Sequence, residues 1–192
     1  MREIELLKWI LHGDFLCKGD EAMVMVESQG REHDEQRVVI VNKVSSISQM
    51  ALYRFDEKSA GKDFLPFFND RYKEEPHAPA DLRSFCDYIL LAEYNDMLYV
   101  MLIELKRGEA TGYRKQIDAS HCFVDYIIDS AERIKHENAF DEFDRDNIRF
   151  RRVLIKKCTS EKQVTHNSDI AYDRNDYIEI KCNGEFRPIR VI

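Results

Sequence analysis

The chain has 192 residues, 44% of them apolar and 34% charged, with 29 basic against 36 acidic side chains and a net charge of −7. That length supports one sizeable core, and no apolar run reaches the roughly 18 residues of a membrane span. The acidic balance argues against a protein that coats nucleic acid through bulk charge, while leaving room for one that grips phosphates locally.

Taken in order, residues 3–16 carry Ile4, Leu7, Ile10 and Leu11 at helical spacing, with Glu3 and Glu5 suited to the first turn of a short amphipathic helix. This opening is too charged, and its apolar part too short, for a secretory signal. Residues 20–28 and 37–44 read as strands around the polar loop 30–35, and residues 47–55 suit a strand or a helix. Residues 56–79 read as a long loop anchored by Phe64, Phe67, Phe68 and Tyr72, either a wall of a cleft or a pinned surface excursion.

The stretch 85–106, FCDYILLAEYNDMLYVMLIELK, gives two apolar β-runs, 87–94 and 97–106, joined by Asn95-Asp96. A tight two-residue loop sets an antiparallel register in which Asp87 faces Glu104, with Lys106 two residues on and on the same face. Ile89, Leu91, Val100 and Leu102 share that face, and Leu90, Ala92, Met101 and Ile103 take the other. A hairpin apolar on both faces is an interior hairpin. Two facing carboxylates there need a cation between them, and a hard divalent ion with oxygen ligands is the natural one. A structural ion pair of Glu104 with Lys106 or Arg107 is the competing arrangement.

A charged turn, 107–111, leads to a long amphipathic helix over 112–138, whose stripe is Tyr113, Ile117, Val124, Ile127, Ile128, Ala131 and Ile134. His121-Cys122 within it diverge in direction and lack a third metal ligand. Residues 148–157 form a strand, and the basic run 145–157 is either a solvated strand edge or a nucleic-acid rim built on Arg149, Arg151 and Arg152. Residues 171–182 and 185–192 suggest a second hairpin around Asn183-Gly184, with Pro188 marking an edge strand. A second Glu-x-Lys, Glu179-Ile180-Lys181, would face Ile170 across a two-residue turn or Asp169 across a three-residue loop, and no helix pattern follows it. The five cysteines (17, 86, 122, 158 and 182) are odd in number and form no C-x-x-C pair, which predicts reduced, mostly buried thiols in a cytoplasm. With no repeat or linker, residues 1–192 read as one domain.

Through CDYILL, IELKRG and RKQI the sequence resembles the PD-(D/E)XK nuclease superfamily over residues 81–157. The resemblance implies an α/β (α+β) fold with a mixed sheet: a restriction-endonuclease-like core with its central hairpin and flanking helices, elaborated by extra strands in 1–80 and 158–192. It maps the family's first acid to Asp87, its E-x-K to Glu104 and Lys106, and its helix glutamine to Gln116. Cys86 stands where the family usually has proline. The implied activity is Mg2+- or Mn2+-dependent phosphodiester hydrolysis in DNA first and RNA second, with a homodimer where both strands of a duplex are cut. Asp87, Glu104 and the Leu105 carbonyl would hold the ion, Lys106 would orient the attacking water, and Gln116 would orient Lys106 or a phosphate. Some branches add a glutamate, for which Glu3, Glu5 and Glu21 are candidates. The alternative is a catalytically inactive core of this kind serving as a binding or assembly module.

Overall fold

The computed structural model describes residues 3–18, 24–28, 35–41, 47–54, 85–106, 112–137, 142–157, 170–172, 177–182 and 184–192. The elements in order are α1 (Glu3–Ile10), β1 (Val24–Ser28), β2 (Glu35–Ile40), β3 (Ile47–Arg54), β4 (Tyr88–Tyr94), β5 (Met97–Lys106), α2 (Tyr113–Ile134), β6 (Ile148–Lys157), β7 (Ile170–Tyr172), β8 (Tyr177–Cys182) and β9 (Glu185–Phe186). The fold is mixed α and β, with one six-stranded sheet in the order β3-β4-β5-β6-β8-β7 and one three-stranded sheet in the order β1-β2-β9. The long loop expected over 56–79, the turn 107–111, and the side chains of Cys158 and Cys182 lie outside the described residues.

The hairpin β4–β5 occupies the middle of the larger sheet. Asn95 and Asp96 both take positive φ, 49° and 59°, the left-handed pair that a tight hairpin turn needs and that Asn and Asp tolerate well. This sets the anticipated register, with Tyr88 opposite Ile103 and Leu91 opposite Val100. Both faces are dry. Ile89, Leu91, Val100 and Leu102 pack with Ile4 and Leu7 of α1 and with Ile117, Val124 and Ile128 of α2. Leu90, Ala92, Met101 and Ile103 pack against Met25, Val38, Ile40 and Phe186 of the smaller sheet. Each such aliphatic side chain contributes about 1.5–3 kcal/mol on full burial, so the hairpin is the common floor of two cores. Tyr88 ties the layers further: its hydroxyl accepts from the Val26 N–H at 2.8 Å and donates to the Val26 carbonyl at 3.1 Å.

α2 carries the chain across to β6, which lies parallel to β5, as a helical crossover requires. Its buried stripe is Ile117, Ser120, Val124, Ile127, Ile128 and Ala131, the apolar face read from the sequence plus one serine. Tyr113 and Ile134 sit at its half-buried ends. The first helix is shorter than expected, ending at Ile10, and buries Leu6 as well as Ile4 and Leu7. Residues 47–54 resolve as the strand beside β4.

The second hairpin does not form. β8 already lies between β6 and β7, so neither of its edges is open to a returning strand. Gly184, at φ 96°, instead turns the chain into the smaller sheet, where β9 pairs parallel with β2. Pro188 begins a short 3-10 turn, Pro188–Arg190, rather than lying in an edge strand. Glu179 stands opposite Ala171, not Ile170 or Asp169, and pairs with Lys156 at 2.8 Å. Among the described residues Cys17, Cys86 and Cys122 form no disulfide, only Cys86 is fully buried, and Cys122 is exposed.

Candidate active site

Asp87 immediately precedes β4, and Glu104, Leu105 and Lys106 are the last three residues of β5. Extending the hairpin register by one step brings the two acids face to face. There the side chains take over from the backbone ladder. The Asp87 N–H donates to Glu104 Oε2 at 3.2 Å, and the Leu105 N–H donates to Asp87 Oδ2 at 2.7 Å. Lys106 Nζ lies 2.5 Å from Glu104 Oε1. Asp87 is half-buried, while Glu104 is wholly shut off from solvent.

In an extended strand the N–H and C=O of one residue point to the same side. Because the Leu105 N–H reaches Asp87, the Leu105 carbonyl is turned towards that side too. The two carboxylates and this carbonyl are hard oxygen donors, the chemical type that Mg2+ and Mn2+ prefer. A carboxylate presents about four lone-pair sites, so the bonds named are compatible with a cation on the same groups.

α2 fixes the approach to Asp87. The Cys86 N–H donates to Ser120 Oγ at 2.8 Å, Ser120 Oγ donates to the Gln116 carbonyl at 3.0 Å, and Gln116 Nε2 donates to the Phe85 carbonyl at 3.4 Å. Gln116 thus holds the strand that delivers Asp87. Ser120 does the same and went unrecognised in the sequence, although a serine inside an apolar helical stripe marks a polar group with a buried partner. Burial pushes the Cys86 thiol up to about 12; the charges of Glu104 and Asp87 add to this, while the Ser120 bond pulls the other way. Cys86 is therefore a neutral neighbour and no nucleophile.

Among the described residues no third His, Cys, Asp or Glu joins the pair to make a cluster of three. Glu3 accepts from Asn147 Nδ2 at 3.1 Å, which ties α1 to the turn before β6, and Glu5 pairs with Lys8 at 3.2 Å. Glu21 and Arg107 lie outside the described residues.

The three arginines of β6 do not form one surface. Arg152 faces α2, where its Nη2 meets His121 Nδ1 at 3.1 Å and its guanidinium lies 5.5 Å from the centre of the Tyr177 ring. Arg151 points the other way, donates to the Val191 carbonyl at 2.7 Å and to the Ile192 carbonyl at 3.2 Å, and packs over Tyr99. Arg149 is exposed and donates to the Asp146 and Ile148 carbonyls at 2.7 and 2.9 Å. Burial, and then the nearby Arg152 and Arg145 charges, lower the His121 pKa against the pull of Asp125 and Asp118.

No family model, curated protein or solved structure matches this chain. Among the described residues, no helix is long and apolar enough to cross a membrane.

Proposed function

We propose that this chain is a Mg2+- or Mn2+-dependent phosphodiesterase acting on nucleic acid, DNA before RNA, built on a restriction-endonuclease-like core of the PD-(D/E)XK kind. One observation carries the reading. Asp87 and Glu104 interlock through each other's strands at the open end of a buried hairpin, with Lys106 against Glu104. Apolar interiors reject facing carboxylates unless a cation rewards them, so the arrangement points to a cation-dependent task.

In this reading Asp87, Glu104 and the Leu105 carbonyl would hold the ion. When bound, a divalent ion polarises a phosphate oxygen and lowers the pKa of a bound water from about 15.7 towards 7. The chain's own residues do the rest. Glu104, fully buried, lies against the Lys106 ammonium and accepts from the Asp87 N–H. Lys106 supplies a compact positive charge beside the phosphate as negative charge builds on it. Gln116 and Ser120 hold the backbone at 85–86, which fixes where the Asp87 carboxylate sits.

The Lys106–Glu104 contact also favours a second reading, an inactive core in which lysine is only a counter-ion. Lys106→Ala separates the two. On the nuclease reading turnover falls about 10²- to 10³-fold, while calorimetry shows Mn2+ affinity kept or raised, because the ammonium competing for Glu104 is gone. Unchanged turnover would remove Lys106 from the chemistry. The test of the function itself is a cleavage screen over single-stranded, duplex and branched DNA and RNA with Mn2+, run beside EDTA and Glu104→Ala controls. Full activity in EDTA, or no Mn2+ binding and no cleavage at all, would overturn it.

A further inference from the structure

β5, β6 and β8 run parallel and side by side, and their pairing places like residues in rows. Leu102, Arg152 and Tyr177 form one row, Glu104, Leu154 and Glu179 the next, and Lys106, Lys156 and Lys181 the last. Residues two apart share a face, so all three rows lie on the face that carries Glu104. α2 covers the first row: the Tyr177 hydroxyl donates to Asp118 Oδ1 at 2.6 Å, and Arg152 meets His121. The lysine row stands four residues farther along, at the carboxyl ends of the strands, where open α/β sheets take their ligands. The Lys106 and Lys156 side chains are 23% and 27% exposed, and Lys181 is exposed outright.

We infer that Lys106, Lys156 and Lys181 form a track for successive phosphates of one polynucleotide strand, running from the Asp87–Glu104 pair across β6 to β8. The inference rests on the phosphodiesterase reading and adds the direction in which the substrate lies. Neighbouring strands are about 4.8 Å apart, so the row spans about 10 Å. The carboxylates one row back hold two of the ammonium groups in place, Glu104 on Lys106 and Glu179 on Lys156 at 2.8 Å. Phosphate therefore competes with Glu179 for Lys156, which gives the track a signature of its own. Arginine is not its basis here, since Arg151 is bonded to the Val191 and Ile192 carbonyls and Arg152 to the α2 face.

The test is fluorescence anisotropy of a labelled single-stranded DNA 12-mer and of a dinucleotide, in EDTA over a range of salt, using the full chain. Lys156→Ala with Lys181→Ala should weaken 12-mer binding about tenfold or more and lower the salt slope by about 1.4, the loss of two phosphate contacts. The matching double arginine variant should restore both. Glu179→Gln should move the other way and tighten binding several-fold by releasing Lys156. A wild-type chain that does not bind the 12-mer, an unchanged slope in the alanine pair, or a dinucleotide bound as tightly as the 12-mer overturns the track. Cleavage by the wild type with lysine-independent binding sinks the track and leaves the nuclease standing. Lysine-dependent binding without cleavage in the Mn2+ screen does the reverse.

Discussion

Glu104→Gln is expected to cut metal-dependent cleavage at least about a thousandfold, close to 4 kcal/mol of transition-state stabilisation. Glutamine keeps the volume of Glu104 and an oxygen for the Asp87 N–H, so the buried end of β5 keeps its packing and its bond. What leaves is the negative charge. Lys106 loses its counter-ion, yet its side chain is 23% exposed and reaches water, which holds the stability cost near about 1 kcal/mol. Glu104→Ala should lose activity equally and stability more, since it strips the acceptor from the Asp87 N–H and opens a cavity. Cleavage by the glutamine variant within a few-fold of wild type would take Glu104 out of the chemistry.

Asp87→Asn and Asp87→Ala should be alike in activity and unlike in stability. Both remove the charge that with Glu104 defines the ion site, and both should lose about a thousandfold in turnover. Only alanine abandons the Leu105 N–H, which Asp87 Oδ2 accepts at 2.7 Å. An orphaned, part-buried donor costs about 1–3 kcal/mol. In a chain of this size each kcal/mol lowers Tm by about 2–4 °C, so thermal melts should place alanine below asparagine by several degrees. Equal melting temperatures would show that the hydrogen bond adds nothing. An active asparagine variant would show that the charge does not matter.

The central hairpin was legible because three signals agreed: Asn95-Asp96 as a turn, apolar runs on both sides, and acids that the register made neighbours. The stripe of α2 was legible for a similar reason, since Ile117, Val124 and Ile128 keep one spacing through several turns. The fate of residues 185–192 was not. Asn183-Gly184 reads locally as a hairpin turn, and nothing nearby tells that β7 will already have taken the free edge of β8. Strand order is a long-range property, and a turn signal is local. The same limit hid the lysine row, because Lys106, Lys156 and Lys181 are neighbours only through parallel pairings that skip a helix or a strand. Arg149, Arg151 and Arg152 show the converse: they stand close together in sequence, while strand alternation sends Arg151 and Arg152 to opposite faces.

The pairing of β9 with β2 carries a consequence for the order of assembly. Val39 donates to the Gly184 carbonyl at 2.7 Å, a bond between residues that nearly the whole described chain separates. Closing so long a loop is costly in entropy before any contact rewards it, so β4–β5, with its two-residue turn, forms early and the smaller sheet is completed late. Pulse-labelled amide exchange during refolding should protect Val100 well before Val39, and simultaneous protection would refute that sequence. Until that final clasp, the Leu90–Met101 side of the hairpin lacks the cover of Phe186, an interval in which a growing or refolding chain is most open to sticking to its own kind.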